Sequence, residues 1–196
     1  MEQFKLITCP TSPIKLKQAD LSKKDDIYAF QTKNHLNISP SKNIRESQKK
    51  DIPVFLTRLI DNDKFMKDLF WIVTTSDDKD KIIASIGLSI DKNDDTCGEI
   101  NTFSVDEIYR NQGLGTSLIK YCLEKAKEYQ LKRLFLVTTT FMKAATSLYE
   151  KFGFKKYKEI LIKVIDGVSQ VTEDTEEFEK YPEDDKFKAT FYELYL

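Results

Sequence analysis

The segment Val105-Asp106-Glu107-Ile108-Tyr109-Arg110-Asn111-Gln112-Gly113-Leu114-Gly115-Thr116 decides the fold of this chain. The apolar run from Ile100 to Val105 before it has the pattern of a strand. The apolar residues that follow recur at helical spacing, at positions 114, 118, 119, 122, 123 and 126. Two glycines therefore lie where a strand passes into a helix, and they permit a sharp turn and the close approach of a ligand. Because the first N–H groups of a helix lack partners and the helix dipole adds positive charge there, this junction predicts a pyrophosphate site.

Three kinds of phosphate-binding loop compete for this segment. A P-loop requires a lysine directly after its last glycine, and this chain has Thr116 there. A Rossmann fingerprint requires a third glycine, and this chain has Leu118 there. The hexapeptide from Arg110 to Gly115 resembles the acetyl-CoA loop of the GCN5-related N-acetyltransferases (GNAT), whose pattern is Gln/Arg-x-x-Gly-x-Gly/Ala, at every fixed position.

Composition limits the classes of protein to which the chain can belong. Its 196 residues are 40% hydrophobic and 12% aromatic, which is enough for a sizeable core. We therefore expect a single domain over residues 1–196, with an acidic insertion at about 166–185. The 31 Lys and Arg residues nearly balance the 32 Asp and Glu residues. We expect no nucleic-acid partner, because nucleic-acid binders usually carry a basic excess.

Cysteine and histidine usage indicates the compartment and the metal chemistry. Cys9, Cys97 and Cys122 are odd in number and far apart, which is typical of reduced thiols in a cytoplasmic or nuclear protein. The sequence has neither a signal-peptide pattern nor a run of about 20 apolar residues, so we expect no membrane partner. His35 is the single histidine. We expect no metal site, and we place His35 near the end of a helix.

Hydrophobic periodicity predicts the order of helices and strands. Helices are expected at about 22–35, 52–60, 114–129 and 143–151, with Pro53 near the start or at a kink of the second. Strands are expected at 14–19, 66–75, 82–91, 98–105, 133–138, 154–165 and 187–196. The turn pair Asp166-Gly167 predicts a hairpin after residue 165. Short connections predict that the strands at 66–75, 82–91 and 98–105 form an antiparallel meander.

A second segment strengthens the resemblance. Leu148-Tyr149-Glu150-Lys151-Phe152-Gly153-Phe154 is similar to the L-Y-x-x-x-G-F segment of the GNAT superfamily, and Tyr149 follows Gly115 by 34 residues. The resemblance covers roughly Ile14 to Phe154 and is most specific from Gly98 onward. It implies an α/β (α+β) GNAT fold, with a mixed, mostly antiparallel central sheet that is flanked by helices and splayed at the acetyl-CoA site.

The resemblance also implies the residues that hold acetyl-CoA. Backbone groups of Phe103, Ser104 and Val105 would contact pantetheine and the acetyl carbonyl. The loop would hold the pyrophosphate through Arg110, Asn111, Gln112, Gly113, Leu114, Gly115 and Thr116. Asn111 and Glu107 stand where the family often has Gly and Pro, and Asn tolerates the left-handed backbone better than most residues. Met142 stands where the family often has an Asn that contacts pantetheine.

The same resemblance suggests two catalytic side chains. Tyr149 would protonate the departing thiolate, since a phenol stays protonated at neutral pH, although it could simply pack in the core. Glu99 would act as a general base through water, although it could face solvent or pair across a hairpin. We expect residues 99, 101, 103 and 105 to share one face of their strand. Asp106 is a further candidate base, and many members of the family need none.

The sequence therefore predicts an acetyl-CoA-dependent N-acetyltransferase, active as a monomer or homodimer, with a primary amine as acceptor. A small amine, an amino acid or a polyamine is favoured, and a protein N-terminus or lysine side chain is the alternative. A CoA-binding module without turnover is an alternative of another class. The segment from Asp166 to Asp185 contains nine acids and one lysine. We expect a mobile, solvated loop there, or alternatively an acidic rim that attracts a cationic acceptor.

Overall fold

The computed structural model describes residues 14–20, 24–61, 69–76, 81–91 and 93–196. The strands in these ranges are β1 (Ile14–Gln18), β2 (Phe70–Thr75), β3 (Ile82–Asp91), β4 (Asp94–Val105), β5 (Arg133–Thr139), β6 (Lys155–Ile165), β7 (Val168–Thr172) and β8 (Lys186–Tyr195). The helices are α1 (Lys24–Leu36), α2 (Lys42–Asp61), α3 (Leu114–Glu128), α4 (Lys143–Lys151) and α5 (Thr175–Lys180). Two 3₁₀ turns cover Glu107–Tyr109 and Glu183–Asp185.

The strands form one mixed sheet in the order β1-β2-β3-β4-β5-β8-β6-β7. Neighbouring strands are antiparallel except for β4 and β5, which are parallel. The predicted meander of β2, β3 and β4 and the predicted hairpin at Asp166-Gly167 are both confirmed. Asp166 and Gly167 have φ of 51° and 67°, as a tight hairpin turn with two left-handed residues requires.

Helices cover both faces of the sheet. The face that α3 and α4 cover, the α3 face, carries the largest buried cluster, which includes Leu88, Ile100, Leu118, Leu134 and Leu136. The opposite face, the α1 face, is covered by α1 through Ile27 and by α2 through Ile44. Full burial of each such aliphatic side chain stabilises the fold by about 1.5–3 kcal/mol.

Helix α2 differs from the prediction. It runs without interruption from Lys42 to Asp61, so it does not start near Pro53, which lies inside it at the position where the sequence predicted a start or a kink. Its first half is fixed because the hydroxyl of Ser41 accepts a 3.1 Å bond from the N–H of Ile44 and because Ile44 and Ser47 are fully buried. This packing outweighs the roughly 3 kcal/mol that a proline costs inside a helix.

The acidic segment also differs from the prediction, because it is folded rather than a mobile loop. It forms β7, α5 and a 3₁₀ turn, and Phe178 of α5 is only 3% exposed. Lys163 of β6 and Lys186 of β8 are cross-strand partners, and both are buried beneath it. Their ammonium groups lie 2.6 Å and 2.8 Å from carboxylate oxygens of Glu177 and Glu183, respectively. Two lysines from the neighbouring strands β6 and β8 therefore compensate part of the charge of the acidic segment.

Some predictions lie partly outside the described residues. Ser22, the expected cap of the first helix, and Met66, the expected start of the second strand, belong to this group, as does Cys9. His35 lies in the last turn of α1, as predicted. Among the described helices, we find none with the length and apolar character required to span a membrane. The described residues likewise bring together no group of three or more potential metal ligands.

Candidate active site

The candidate site is a gap that opens between β4 and β5. The two strands pair from Cys97 to Glu99 of β4, opposite Arg133 to Phe135 of β5, and then diverge. The N–H of Asp106 donates a 2.8 Å bond to the carbonyl of Ile83, so the backbone of Asp106 faces β3. Since backbone groups alternate along a strand, those of Val105 and Phe103 face the gap, whereas those of Ser104 face β3. The backbone groups of Phe103 and Val105 thus face the gap, as their predicted role requires, and Ser104 belongs to the β3–β4 ladder.

A bulge in β4 changes which side chains share a face. Thr102 has a left-handed φ of 47°, and the register between β3 and β4 shifts beside it. Ile100 packs in the α3-face core, and so do Phe103 and Val105 beyond the bulge. Glu99 precedes Ile100 and therefore points to the α1 face. The prediction that residues 99, 101, 103 and 105 share one face is wrong, because the bulge inserts one residue between them.

A buried side chain from α1 holds this bulge, and the sequence analysis missed it. The amide of Gln31, which is 1% exposed, donates to the carbonyl of Thr102 at 2.7 Å and to the hydroxyl of Ser85. Its oxygen accepts a 3.0 Å bond from the hydroxyl of Ser104. The available signal was that Gln31 lies at helical spacing from apolar Ile27, on the face that helix α1 buries.

The loop before α3 has the geometry of an anion site. Asn111 and Gly113 have φ of 60° and 82°, so Asn111 takes up the left-handed conformation that the sequence analysis expected it to tolerate. Gly113 caps α3, and its carbonyl accepts the first helical bond from Ser117. The N–H groups of Leu114, Gly115 and Thr116 therefore have no acceptor inside the helix. A Cβ added to Gly113 would meet nothing within 4 Å, so the space beside this residue at the start of α3 is open.

Arg110 and Asp106 brace this loop. The Nε of Arg110 donates to the Val105 carbonyl at 3.0 Å, and a terminal nitrogen lies 3.3 Å from the amide oxygen of Asn34 in α1. The Arg110 N–H donates to the Glu107 carbonyl. Arg110 thus ties β4, the loop and α1 together. The carboxylate of Asp106 accepts from the Ile108 N–H at 3.2 Å, which makes it part of the turn rather than an available base.

Glu99 lies where the gap begins, with its side chain on the α1 face. It pairs with Ser89 of β3 and with Phe135 of β5. Burial raises the pKa of its carboxyl from 4.5 to about 7. A carboxyl with a pKa near neutral pH is ionised in a large fraction of molecules and still binds a proton well. Both properties suit a general base.

Tyr149 lies on the α3 face, on the other side of the sheet from Glu99. It is buried, and its ring centroid lies 6.0 Å from that of Phe103 in β4 and 6.0 Å from that of Phe154. Burial raises the pKa of its phenol, and the nearby thiol of Cys122 adds to the effect. The phenol of Tyr149 therefore keeps its proton at neutral pH, and its ring lies next to Phe103, which lines the gap.

The residues around the gap fit acetyl-CoA. The hydroxyls of Thr138 and Thr139 are buried without a hydrogen-bond partner among the described residues, and both lie where β5 has left β4. The backbone of Phe103 provides a donor and an acceptor on the opposite wall of the gap, as an extended amide chain requires. Three unpaired N–H groups at the start of α3 suit a pyrophosphate.

The acidic helix α5 does not border the face that Glu99 occupies. Lys186, which reaches the acidic segment, alternates along β8 with Phe187, which packs on the α1 face beside Ile44. The rings and carboxylates of α5 therefore lie on the α3 side of β6 and β8. The sequence analysis offered an acidic rim that attracts the acceptor as the alternative to a solvated loop, and the fold separates α5 from Glu99 by the thickness of the sheet.

Comparisons with known proteins agree with this geometry. The model of the Acetyltransferase (GNAT) family matches residues 33–154. The curated protein named Probable N-acetyltransferase 14, from Xenopus tropicalis, is 32% identical over 78 residues, which are 40% of this chain and 37% of that protein. Probable N-acetyltransferase camello, from the same organism, is 29% identical over 106 residues, which are 53% of this chain and 46% of that one. The chain thus spans less than half the length of these relatives.

Solved structures share the whole fold. The crystal structure of a GNAT-family acetyltransferase from Staphylococcus aureus Mu50 superposes with a TM-score of 0.61 at 21% identity, covering 94% of this chain and 99% of that one. The matched family region contains α3, the loop before it and Tyr149, and it ends at Phe154. On this evidence the chain belongs to the GNAT family of acetyltransferases.

Proposed function

We propose that this protein transfers the acetyl group of acetyl-CoA to a primary amine. The observation that carries the proposal is the separation of β4 from β5 directly beside a loop whose N–H groups are unpaired. A gap with backbone donors along one wall and an anion site at one end matches an amide chain that ends in a pyrophosphate. Membership of the GNAT family supports the same ligand.

Acetyl-CoA, when bound, supplies the acetyl group as a thioester. The N–H groups at Gly113 to Thr116 would hold its pyrophosphate, and the backbone of Phe103 and Val105 its pantetheine arm. The N–H groups of Phe103 and Val105 face the gap, where they can donate to the acetyl oxygen as negative charge grows on it. Arg110 keeps the Val105 carbonyl occupied, which leaves the Val105 N–H as the group directed at the ligand.

Glu99 and Tyr149 would handle protons on opposite faces of the sheet. Glu99 takes a proton from the ammonium form of the acceptor, which exposes the lone pair of the neutral amine. The nitrogen then bonds to the acetyl carbon, and as the carbon–sulfur bond breaks it releases its excess proton to water. Phe103 lies four residues beyond Glu99, roughly 13 Å along an extended strand, so water would carry the first of these protons to Glu99. Tyr149 donates its phenolic proton to the departing sulfur. This division keeps the acid and the base on separate sides of the reacting carbon.

An acetylation assay tests the proposal. The full chain is incubated with acetyl-CoA and a panel that contains a small amine, an amino acid, a polyamine, a lysine peptide and a peptide with a free N-terminus. Mass spectrometry then detects a gain of one acetyl group, and calorimetry measures CoA binding separately. Acetylation of at least one amine is expected. CoA binding without any acetylated product would contradict the transfer reaction, and no CoA binding would contradict the site itself.

A further inference from the structure

The α1 face has a strip of side chains next to the gap that the proposed chemistry does not use. Helix α1 packs on β3 and β4, and α2 packs on β6 and β7, so β5 and β8 lie between them. Register places Val137 of β5 opposite Phe191 of β8, and Phe191 opposite Lys158 of β6. Paired residues share a face, and Phe135 on this face is the partner of Glu99.

This strip is apolar and open. Val137 is 43% exposed and Tyr157 is 48% exposed, while Phe135 and Phe191 are half-buried. The rings of Tyr157 and Phe191 meet edge to face, with centroids 6.1 Å apart. Large exposed side chains that are contiguous with a reaction site are typical of a surface that a substrate covers. We call Phe135, Val137, Tyr157 and Phe191 the aromatic strip.

The far edge of the aromatic strip is cationic. The ammonium of Lys158 lies 5.6 Å from the ring centroid of Phe191. Among the described residues, Lys155 and Lys158 have no carboxylate within ion-pairing distance, whereas Glu193 on the same face is already 3.6 Å from Arg133. Lys156 points to the other face, where it pairs with Glu159 at 3.3 Å. A ligand on the strip would therefore meet uncompensated positive charge opposite the gap.

We infer that the acceptor amine is attached to an apolar or aromatic group and also carries an anionic group. This inference rests on the proposed acetyl transfer. The amine would lie at the gap, the apolar group on the aromatic strip, and the anion near Lys158. Lys158 is on β6, two strands from β5, and its ammonium leans over Phe191 on the strand between them. Since strands are about 4.8 Å apart, the anion lies roughly 5–10 Å from the β5 side of the gap. The carboxylate of a single α-amino acid is too close to its own amine, whereas an acidic second residue of a peptide reaches this distance.

The charge of this surface also favours the anionic acceptor over a polyamine. A polyamine would bring further ammonium groups onto a strip bordered by Lys158, and like charges repel across a partly apolar surface. The acidic helix α5, which could have attracted a polyamine, lies on the opposite face. The short acidic peptide is therefore the occupant that both the charge and the apolar surface favour.

Four C-terminally amidated dipeptides and spermidine test the inference. The wild-type chain should acetylate Phe-Glu amide with a kcat/KM about tenfold above that of Phe-Lys amide, because one favourable charge contact replaces a repulsion. It should prefer Phe-Glu amide to Gly-Glu amide by about tenfold, because the ring leaves water. Phe-Gln amide should fall between the two charged phenylalanine peptides, and spermidine should be the poorest acceptor.

A charge reversal with a matched control localises the effect. Lys158→Glu should raise the KM for Phe-Glu amide on the order of tenfold and lower it for Phe-Lys amide, with the KM for acetyl-CoA unchanged. Lys156→Glu makes the same charge change on the opposite face and should alter none of these values. Thermal unfolding of both variants checks that the fold is retained.

Each other outcome has a distinct meaning. Equal use of the three phenylalanine peptides, or a preference for spermidine, would overturn the inference while acetyl transfer stood. A dimer in sedimentation that Lys158→Glu dissociates would overturn it by assigning the strip to a second copy of the chain. Failure to acetylate any of the five amines would overturn it together with the proposed function.

Discussion

The side-chain amide of Gln31 donates a 2.7 Å hydrogen bond to the carbonyl of Thr102, the residue at which β4 bulges. This contact links α1 to the strand that lines the gap. The bulge decides that Phe103 and Val105 face α3 and that Glu99 faces α1. The geometry of the candidate site therefore depends on a side chain that is distant from it in sequence.

Replacing Gln31 by Met should disturb both the fold and the site. The change keeps the volume but removes the partner of the Ser104 hydroxyl and one of the two donors to Thr102. We expect a loss of about 1–3 kcal/mol in the free energy of unfolding, measured by urea denaturation, and weaker CoA binding. Gln170→Met, on exposed β7, should change neither quantity. Wild-type CoA affinity in the Gln31 variant would show that the bulge does not depend on this bond.

Placing a side chain at Gly113 should weaken CoA binding more than it weakens the fold. Its φ of 82° means that an alanine costs roughly 1–2 kcal/mol of backbone strain, and its Cβ would project into open space at the start of α3, where we expect the pyrophosphate to bind. Gly167→Ala is the control, since its φ of 67° imposes similar strain at the β6–β7 hairpin. Calorimetry should show weakened CoA binding in Gly113→Ala and Gly113→Val, and wild-type affinity in the control. Equal affinities in all variants would remove the pyrophosphate from this loop.

The sequence predicted the elements around the loop because their signals are local. The glycine spacing, the helical periodicity after Leu114 and the apolar run from Ile100 to Val105 each lie within the element that they predict or directly beside it. The bulge at Thr102 leaves no such signal, since one residue with a positive φ does not interrupt the apolar pattern of β4. Its determinant, Gln31, lies 71 residues earlier in the chain.

The charges of the acidic segment likewise could not be paired with their partners from the sequence alone. From sequence, its carboxylates indicated a solvated loop, because local repulsion opposes packing. Lys163 and Lys186, which supply the compensating charge, become neighbours only when β6 and β8 pair. The burial of Ile44, which fixes the first half of α2, likewise depends on the sheet against which it packs. Tertiary contacts decided each of these features, and single-sequence patterns do not contain them.

Glu99→Gln should have opposite effects on activity and stability. The folded protein raises the pKa of Glu99 from 4.5 to about 7, so the folded state binds more protons than the unfolded state between these pH values. Stability from this group therefore falls as pH rises through that window. The Gln variant should be more stable than wild type by on the order of 3 kcal/mol at pH 8, with little difference at pH 4.

The activity of the same variant reports on the base. The wild-type rate should rise through pH 7 as Glu99 ionises, and the variant should lose that rise along with about 10²–10⁴ in rate. Glu124→Gln, on the exposed side of α3, serves as the control for both measurements. A variant that keeps the wild-type pH profile with the same amine would exclude Glu99 as the base.

Tyr149→Phe should separate proton donation from packing. The ring contacts with Phe103 and Phe154 remain, and only the phenolic proton is removed. Loss of one general acid typically lowers the rate by about 10²–10⁴, so single-turnover acetylation should slow by that factor. CoA affinity and thermal stability should stay close to wild type, because the ring contacts and the buried volume are nearly unchanged.

The control for Tyr149 is a second buried tyrosine. Tyr121 of α3 packs edge to face on Trp71, with ring centroids 5.2 Å apart and away from the gap. Tyr121→Phe removes a tyrosine hydroxyl on the same face of the sheet. That hydroxyl is too far from the gap to reach the departing sulfur. Two results together would identify the phenol as the proton donor. Acetylation should be slow only in Tyr149→Phe, and the rate of that variant should recover when a thioester with a more acidic thiol replaces acetyl-CoA. Equal rates in both variants and wild type would leave Tyr149 with a packing role, and water would then protonate the thiolate.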